Sequence, residues 1–307
     1  MAFMIPALVI LSMLIFTLAE VLPGDVGRTV LGPYATPGQV AALDRSLGAD
    51  QPLPLRYGEW LLGFVTGNWG QSLLLRTAVL PLVADRLFNS ALLALLALGI
   101  VIPLAVGLGS LAGLRRDSAI DRGVSLVGLA LTAVPEFVSG SLLLVGFAVS
   151  LRWFPVTSQL TPGTGPLGTL DRLVLPALPL VVVLFGYIAR MARAGTAEVL
   201  ETSYFRTAVL KRMPRRRVLF RHVMPNALLP TISVIGSQVG WLVGGLVVVE
   251  SLFNYPGVGK LMVDSARGHD LPVLEASVLT VAGIYMLSNL AADIVVGAIN
   301  PRVRNPR

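Results

Sequence analysis

Two stretches of this chain, Asn89–Leu114 and Val223–Val249, contain no charged residue at all. A helix needs about 20 apolar residues to cross a hydrocarbon core of ~30 Å. Charge-free runs longer than that have no stable place on a water-facing surface. Four further apolar runs accompany them. Phe3–Leu22 has Glu20 near its end, and Gly123–Leu151 is interrupted by Pro135-Glu136. Leu173–Ala189 carries Pro176 and Pro179, and Leu271–Ile299 carries Glu275 and Asp293. The six runs predict an all-α polytopic membrane protein with six transmembrane helices, organised as one domain over residues 1–307. Composition agrees: 13% of residues are charged and 54% hydrophobic, whereas soluble domains carry about 25% charged residues. The first run lacks a basic leader and a small-residue cleavage site, so it reads as a retained span rather than a signal peptide.

Charge sets the expected orientation. Six spans divide the loops into two sets. Fifteen of the 24 Lys and Arg fall in Arg115–Arg122, Arg190–Arg221 and the C-terminal tail. The remaining nine are spread through Pro23–Phe88, Arg152–Arg172 and Phe253–Pro272. The positive-inside rule places the first set, and both termini, in the cytoplasm. Segment 23–88 is then external, with short helices expected at Pro37–Leu47 and Pro54–Val65. The net charge of +7 follows from these loops and does not imply nucleic acid. The chain has no cysteine and two histidines, His222 and His269. Disulfides and thiolate sites are excluded, and no metal site is expected.

Arg190–Arg221 holds nine of the basic residues. Within it Ala197–Met213 has neither Gly nor Pro, and Pro214 follows. Glu198 and Glu201 near the start, with Lys211 and Arg212 near the end, complement a helix dipole. This pattern predicts one cytoplasmic helix over Ala197–Met213. Leu200, Tyr204, Ala208 and Lys211 would share one stripe at i, i+4 spacing. A solvated topogenic loop and a docking helix are both compatible with this charge; the stripe favours docking.

The wording of this segment carries a resemblance. Glu201-Thr-Ser-Tyr-Phe-Arg-Thr-Ala-Val-Leu-Lys-Arg-Met, followed by Arg217-Val-Leu-Phe-Arg-His-Val-Met-Pro-Asn-Ala-Leu-Leu-Pro, resembles the EAA loop of bacterial ABC-importer permeases. The match is to the first of the two paralogous permease subunits of the dipeptide/oligopeptide family. Leu22-Pro23-Gly24-Asp25, Gly48-Ala49-Asp50-Gln51-Pro52-Leu53-Pro54 and Gly67-Asn68-Trp69-Gly70-Gln71-Ser72 resemble further family motifs. So do Val249-Glu250-Ser251-Leu252-Phe253-Asn254-Tyr255-Pro256-Gly257-Val258-Gly259-Lys260-Leu261 and Asn300-Pro301-Arg302-Val303-Arg304. They run in family order over nearly the whole chain. Two positions depart. Arg212 stands where the family has a glycine at the bend, and the usual basic stretch before the first span is missing.

The resemblance implies a type I ABC importer permease fold with a cytoplasmic coupling helix between spans four and five, inside an EAA-type loop at 195–222. It implies an inner-membrane subunit that forms half of an alternating-access pathway for di- and oligopeptides. Other family members take nickel, haem, glutathione or oligosaccharides. The implied partners are a second permease, two ATPase subunits (or one fused ATPase) and an external substrate-binding protein. ATP and magnesium would bind on the ATPases, with no cofactor on this chain. By residue match Glu201, Tyr204, Arg206, Thr207, Ala208, Lys211 and Arg212 would line the ATPase contact.

Other residues stay open between two readings. Gly236, Gly240 and Gly244 recur at a period that lets helices approach closely. They serve either a seam with a partner or pore, or packing within the chain. Glu136 could face a hydrated path, or could accept hydrogen bonds from backbone freed by Pro135. Glu250 and Glu275 are expected near the outer interface, and Asp293 beside Arg302. Gly257-Val258-Gly259-Lys260 is not a phosphate loop, because Asn254 and Leu261 occupy the positions of its first Gly and its Ser/Thr. No span holds a histidine at depth, which argues against an intramembrane enzyme. A self-powered secondary transporter remains the lesser alternative.

Overall fold

The computed structural model describes residues 4–21, 35–39, 51–159 and 170–299. Among these residues the fold is helical, apart from an isolated bridge between Gln71 and Ala78. Ten helices carry the argument: α1 (Met4–Val21), α2 (Leu53–Thr66), α3 (Val79–Leu114), α4 (Ala119–Ala133), α5 (Glu136–Leu143), α6 (Leu170–Leu200), α7 (Ser203–Leu210), α8 (Leu229–Leu252), α9 (Val258–Gly268) and α10 (Leu271–Ile299). Of the two short external helices expected, Pro54–Val65 is α2. Only 37–39 of Pro37–Leu47 lies within the described residues. Pro23, Arg302 and the C-terminal motif lie outside them.

Every apolar run lands on helix, but not always on one helix. α3, α6 and α10 are long and apolar enough to cross a membrane unaided. Two further spans exist if each of two bent pairs is counted as one, and α1 is a shorter apolar helix. Two of the six expected spans are therefore bent pairs of helices rather than single helices. Gly123–Leu151 is α4 followed by α5 and its π-helical continuation Leu144–Ser150, with a bend of 103°. The cause is local: Val134, before Pro135, takes an extended conformation (φ −84°, ψ 121°). Proline's ring disfavours the α region for its predecessor. Val223–Val249 is likewise split, because short helical turns over 215–227 meet α8 at 48°. The pair Leu229-Pro230 opens α8, and proline is tolerated in a first turn, where its missing N–H has no partner to lose.

The chain forms two compact units. One comprises Met1–Ala91 and Pro256–Met286, the other Leu92–Tyr255 and Leu287–Arg307. In the first, Val79, Val83, Val258, Leu261, Val273 and Ala276 form an apolar core. Phe16, Tyr57, Trp60, Phe64 and Trp69 line up as an aromatic row, ending in a parallel stack with centroids 4.6 Å apart. Asp270, 2% exposed, takes hydrogen bonds from the Ser72 hydroxyl and from the N–H groups of Leu73 and Leu74. It thereby holds the 70–78 turn. Glu275 is buried here and Glu250 is buried in the second unit.

The second unit is built around α6. Of its apolar window 72% is buried, against 22% for α3 and 6% for α10; α6 is thus the axis that other helices pack on. α4, α5 and α8 contact it. α4 comes so close at Gly186 that a Cβ there would overlap Gly128 and Thr132. A third cluster, Val199, Ala208, Val218, Val223 and Ala227, lies at the end of α6.

Candidate functional site

The end of α6 and the segment after it form the candidate site. The single helix predicted over Ala197–Met213 does not exist. α6 closes with Glu201 N–H on Glu198 O (3.1 Å) and Thr202 N–H on Val199 O (3.2 Å). Thr202 is extended (φ −73°, ψ 152°), and the eight-residue α7 starts after it. The Thr202 hydroxyl donates to Val199 O at 2.6 Å. Hydroxyl side chains offer the backbone such local alternatives to continuing a helix. The absence of Gly and Pro was therefore a poor guide to continuity.

α7 ends in a Schellman motif. Met213 N–H reaches Ala208 O (3.3 Å) and Arg212 N–H reaches Val209 O (2.9 Å). Such a turn needs a left-handed residue at the position Arg212 fills, where glycine is usual. Arg212 sits there at φ 51°. The turn keeps its geometry with an arginine, at a strain of roughly 1 kcal/mol. Met213 packs in the same apolar cluster as Ala208, as this motif's hydrophobic contact requires.

The break re-sorts the predicted stripe. Ala208 is 6% exposed and Phe205 packs with it against the end of α6. Tyr204, one turn before Ala208, is exposed, as are Val209 and Leu210, Leu210 to 82%. Arg206, Thr207, Lys211 and Arg212 are exposed as well. Tyr204, Arg206, Thr207, Lys211 and Arg212 are thus each open to solvent, whereas Ala208 is buried. Glu201, in the break, forms an ion pair with Arg116 at 2.5 Å.

A second ion pair was not anticipated. Arg193 on α6 forks onto Asp121 in the first turn of α4. Its Nε donates to Oδ1, and its Nη2 to Oδ2 at 2.8 Å. Ser118 caps α4 by accepting from Asp121 N–H (3.2 Å), and the Asp117 N–H donates to Asp121 Oδ2 (3.0 Å). Ser118 and Asp121 match the Ser-x-x-acid pattern of a helix start. That pattern announces the helix but not a partner far along the chain.

Glu136 opens α5 at the bend. Its Oε1 is buried and has no hydrogen-bond partner among the described residues. The expectation that this carboxyl absorbs backbone donors freed by Pro135 is not met at that oxygen. It rests against Gly245, where a Cβ would come within 2.6 Å of Oε1. The glycine series divides. A Cβ on Gly236 would lie 2.5 Å from Ala292 Cβ, so this position packs within the chain. Gly240 is buried, and Gly244 is exposed with open space around it. At Gly257–Lys260 the backbone is already engaged: Val258 N–H donates to Ser90 Oγ (2.8 Å) and Lys260 pairs with Asp264.

Two family models match the chain. Residues 105–305 match the binding-protein-dependent transport system inner membrane component, and residues 2–89 match the N-terminal part of such membrane components. A peptide transport system permease protein of Brucella abortus is 37% identical over 98% of this chain and 96% of its own length. A peptide ABC transporter permease protein of Sinorhizobium fredii is 33% identical with the same two coverages. The glutathione transport system permease protein of Escherichia coli is 32% identical, again over 98% and 96%. Among solved structures, a chain of the MetNI methionine ABC transporter, crystallised in inward facing conformations, superposes with a TM-score of 0.56. It is 16% identical and covers 72% of this chain and 96% of the other, a likeness of fold.

Proposed function

This chain belongs to the family of binding-protein-dependent transport system inner membrane components, and from that premise we propose that it is the first of two permease subunits in an ATP-driven importer of di- and oligopeptides. It is a multi-pass membrane protein. The observation that carries the reading is α7: a short helix anchored by buried Ala208 and partly buried Phe205, with Tyr204, Val209 and Leu210 exposed. Apolar side chains exposed beside Arg206, Lys211 and Arg212, at the end of the most buried helix of the unit, suit a protein partner. Hydrolysis at an ATPase must reach the membrane through a rigid element, and only two residues, Glu201 and Thr202, separate α7 from α6. ATP binding would then shift the balance between inward-open and outward-open states.

On this reading the basic loops and both termini are cytoplasmic, six spans cross the bacterial inner membrane, and the 23–88 segment is external. ATP and magnesium act on the two ATPase subunits, and an external binding protein delivers the substrate. Peptides are favoured because relatives at 33% and 37% identity are named for them; glutathione, itself a small peptide, falls in the same class. Co-purification of the ATPase subunits with this permease tests the reading. Tyr204→Ala combined with Arg206→Glu should reduce that recovery about tenfold or more, a loss expected of truncated interface anchors. Unchanged recovery together with unchanged peptide uptake would overturn it.

A further inference from the structure

The turn between α3 and α4 is held to the end of α6 at three levels. At the end of α3, Gly113 lies against the backbone of Arg193 and the side chain of Thr196; a Cβ on Gly113 would come within 2.6 Å of Arg193 O. At the start of α4, Arg193 forks onto Asp121. Between them Arg116 reaches Glu201 in the α6–α7 break. The middle of the turn is itself locked, because Asp117 stands in the left-handed region (φ 62°) and donates its N–H to the same Asp121 carboxylate. Asp121 thus gathers the turn, the first turn of α4 and α6 on one group that is 3% exposed.

We propose that Asp121 and Arg193 are positioning residues that make the α3–α4 turn move with α6 and α7, so that displacement of α7 is passed to the bent α4–α5 segment. The inference rests on the reading of α7 as the ATPase-facing helix. Three physical points support it. A forked guanidinium–carboxylate contact resists both rotation and sliding. Opening it would strand a carboxylate away from water, so the pair holds under load where an exposed pair yields. The close contact at Gly113 leaves no slack between α3 and α6.

The test uses the whole importer, both permeases, the ATPases and the binding protein, reconstituted in liposomes with a labelled mixture of di- and tripeptides as probe. Asp121→Asn and Arg193→Gln should retain the ATPase subunits and hydrolyse ATP within about twofold of wild type, while ATP consumed per peptide delivered rises about tenfold, the size of an ordinary coupling free energy. Arg193→Lys, which keeps the charge but loses the fork, should recover part of the coupling. A second readout uses the absence of native cysteine in this chain, with partner subunits freed of reactive cysteine. Spin labels at Arg122→Cys and Glu198→Cys should keep one distance in nucleotide-free and vanadate-trapped wild-type complex, and acquire a second distance in the Asp121→Asn complex on trapping. An unchanged ATP-per-peptide ratio in assembled variants overturns the proposal. So does parallel loss of hydrolysis and transport that Arg193→Lys does not restore, which is the signature of a structural staple. A wild-type complex that binds no ATPase or moves no peptide would instead overturn the functional reading beneath it.

Discussion

Two ion pairs join the α3–α4 turn to the end of α6, and they differ in almost every respect that matters energetically. Arg193–Asp121 has side chains exposed to 32% and 4%, two bonds in a fork, and further donors on the carboxylate. Arg116–Glu201 has side chains exposed to 58% and 66% and a single bond. In water the second pair is screened and its long side chains lose rotamer freedom on pairing, so it contributes little. The first pair lies where an uncompensated charge is expensive. The pair worth keeping is the one the family resemblance did not point to, whereas Glu201, which it did point to, is held loosely and stays available to a partner.

The contrast can be tested by substitution, in order of expected effect. Asp121→Ala should lower stability by about 3 kcal/mol, because it strands the guanidinium and removes an acceptor from the turn. The apparent Tm of the purified permease in detergent should fall by several degrees; no change would mean that the pair is not stabilising. Arg193→Lys should cost about 1.5 kcal/mol, since an ammonium keeps the charge but loses the fork. Its Tm should lie between wild type and Asp121→Ala. Arg212→Gly touches neither pair and should stabilise by about 0.5–1 kcal/mol, by relieving the left-handed strain against glycine's greater freedom when unfolded. A drop in Tm would show that the Arg212 side chain makes a contact worth more than that strain. Arg116→Ala should change stability by less than about 0.5 kcal/mol, and what remains should vanish in high salt. A salt-resistant loss above 1 kcal/mol would erase the distinction between the two pairs.

How much of this was readable along the chain varied with the range of the interaction. α2 falls within a residue of its expected limits on either side, because Pro54 in the first turn and Gly67 at the C-cap (φ 85°) are local signals. The α3 helix starts well before Asn89, at Val79. Asp85 and Arg86 end a hydrophobic count but not a helix, which ionic side chains tolerate. The missed break at Thr202 is of a different kind. Thr202 and Ser203 are ordinary helix residues by propensity. The break became favourable only because it lets Phe205 and Ala208 turn back onto Val199, Val218 and Ala227. At Arg212 the sequence raised the right question, since the residue is wrong for the turn. Packing of Met213 beside Ala208 answered it by holding the turn anyway.

Hydrophobic length and the distribution of Lys and Arg are additive along a chain. They were therefore sufficient to establish a helical membrane protein, the places of its apolar runs, and the basic segment between two of them. Pairwise electrostatics and close approach are not additive, because they depend on which helix faces which. That α6 is the buried axis, that Gly236 packs within the chain while Gly244 faces open space, that Glu136 meets Gly245, and that Asp121 meets Arg193 were decided by how the helices of the second unit pack, with α4, α5 and α8 on α6. A carboxylate and a guanidinium so far apart in sequence become partners only when folding removes the water between them.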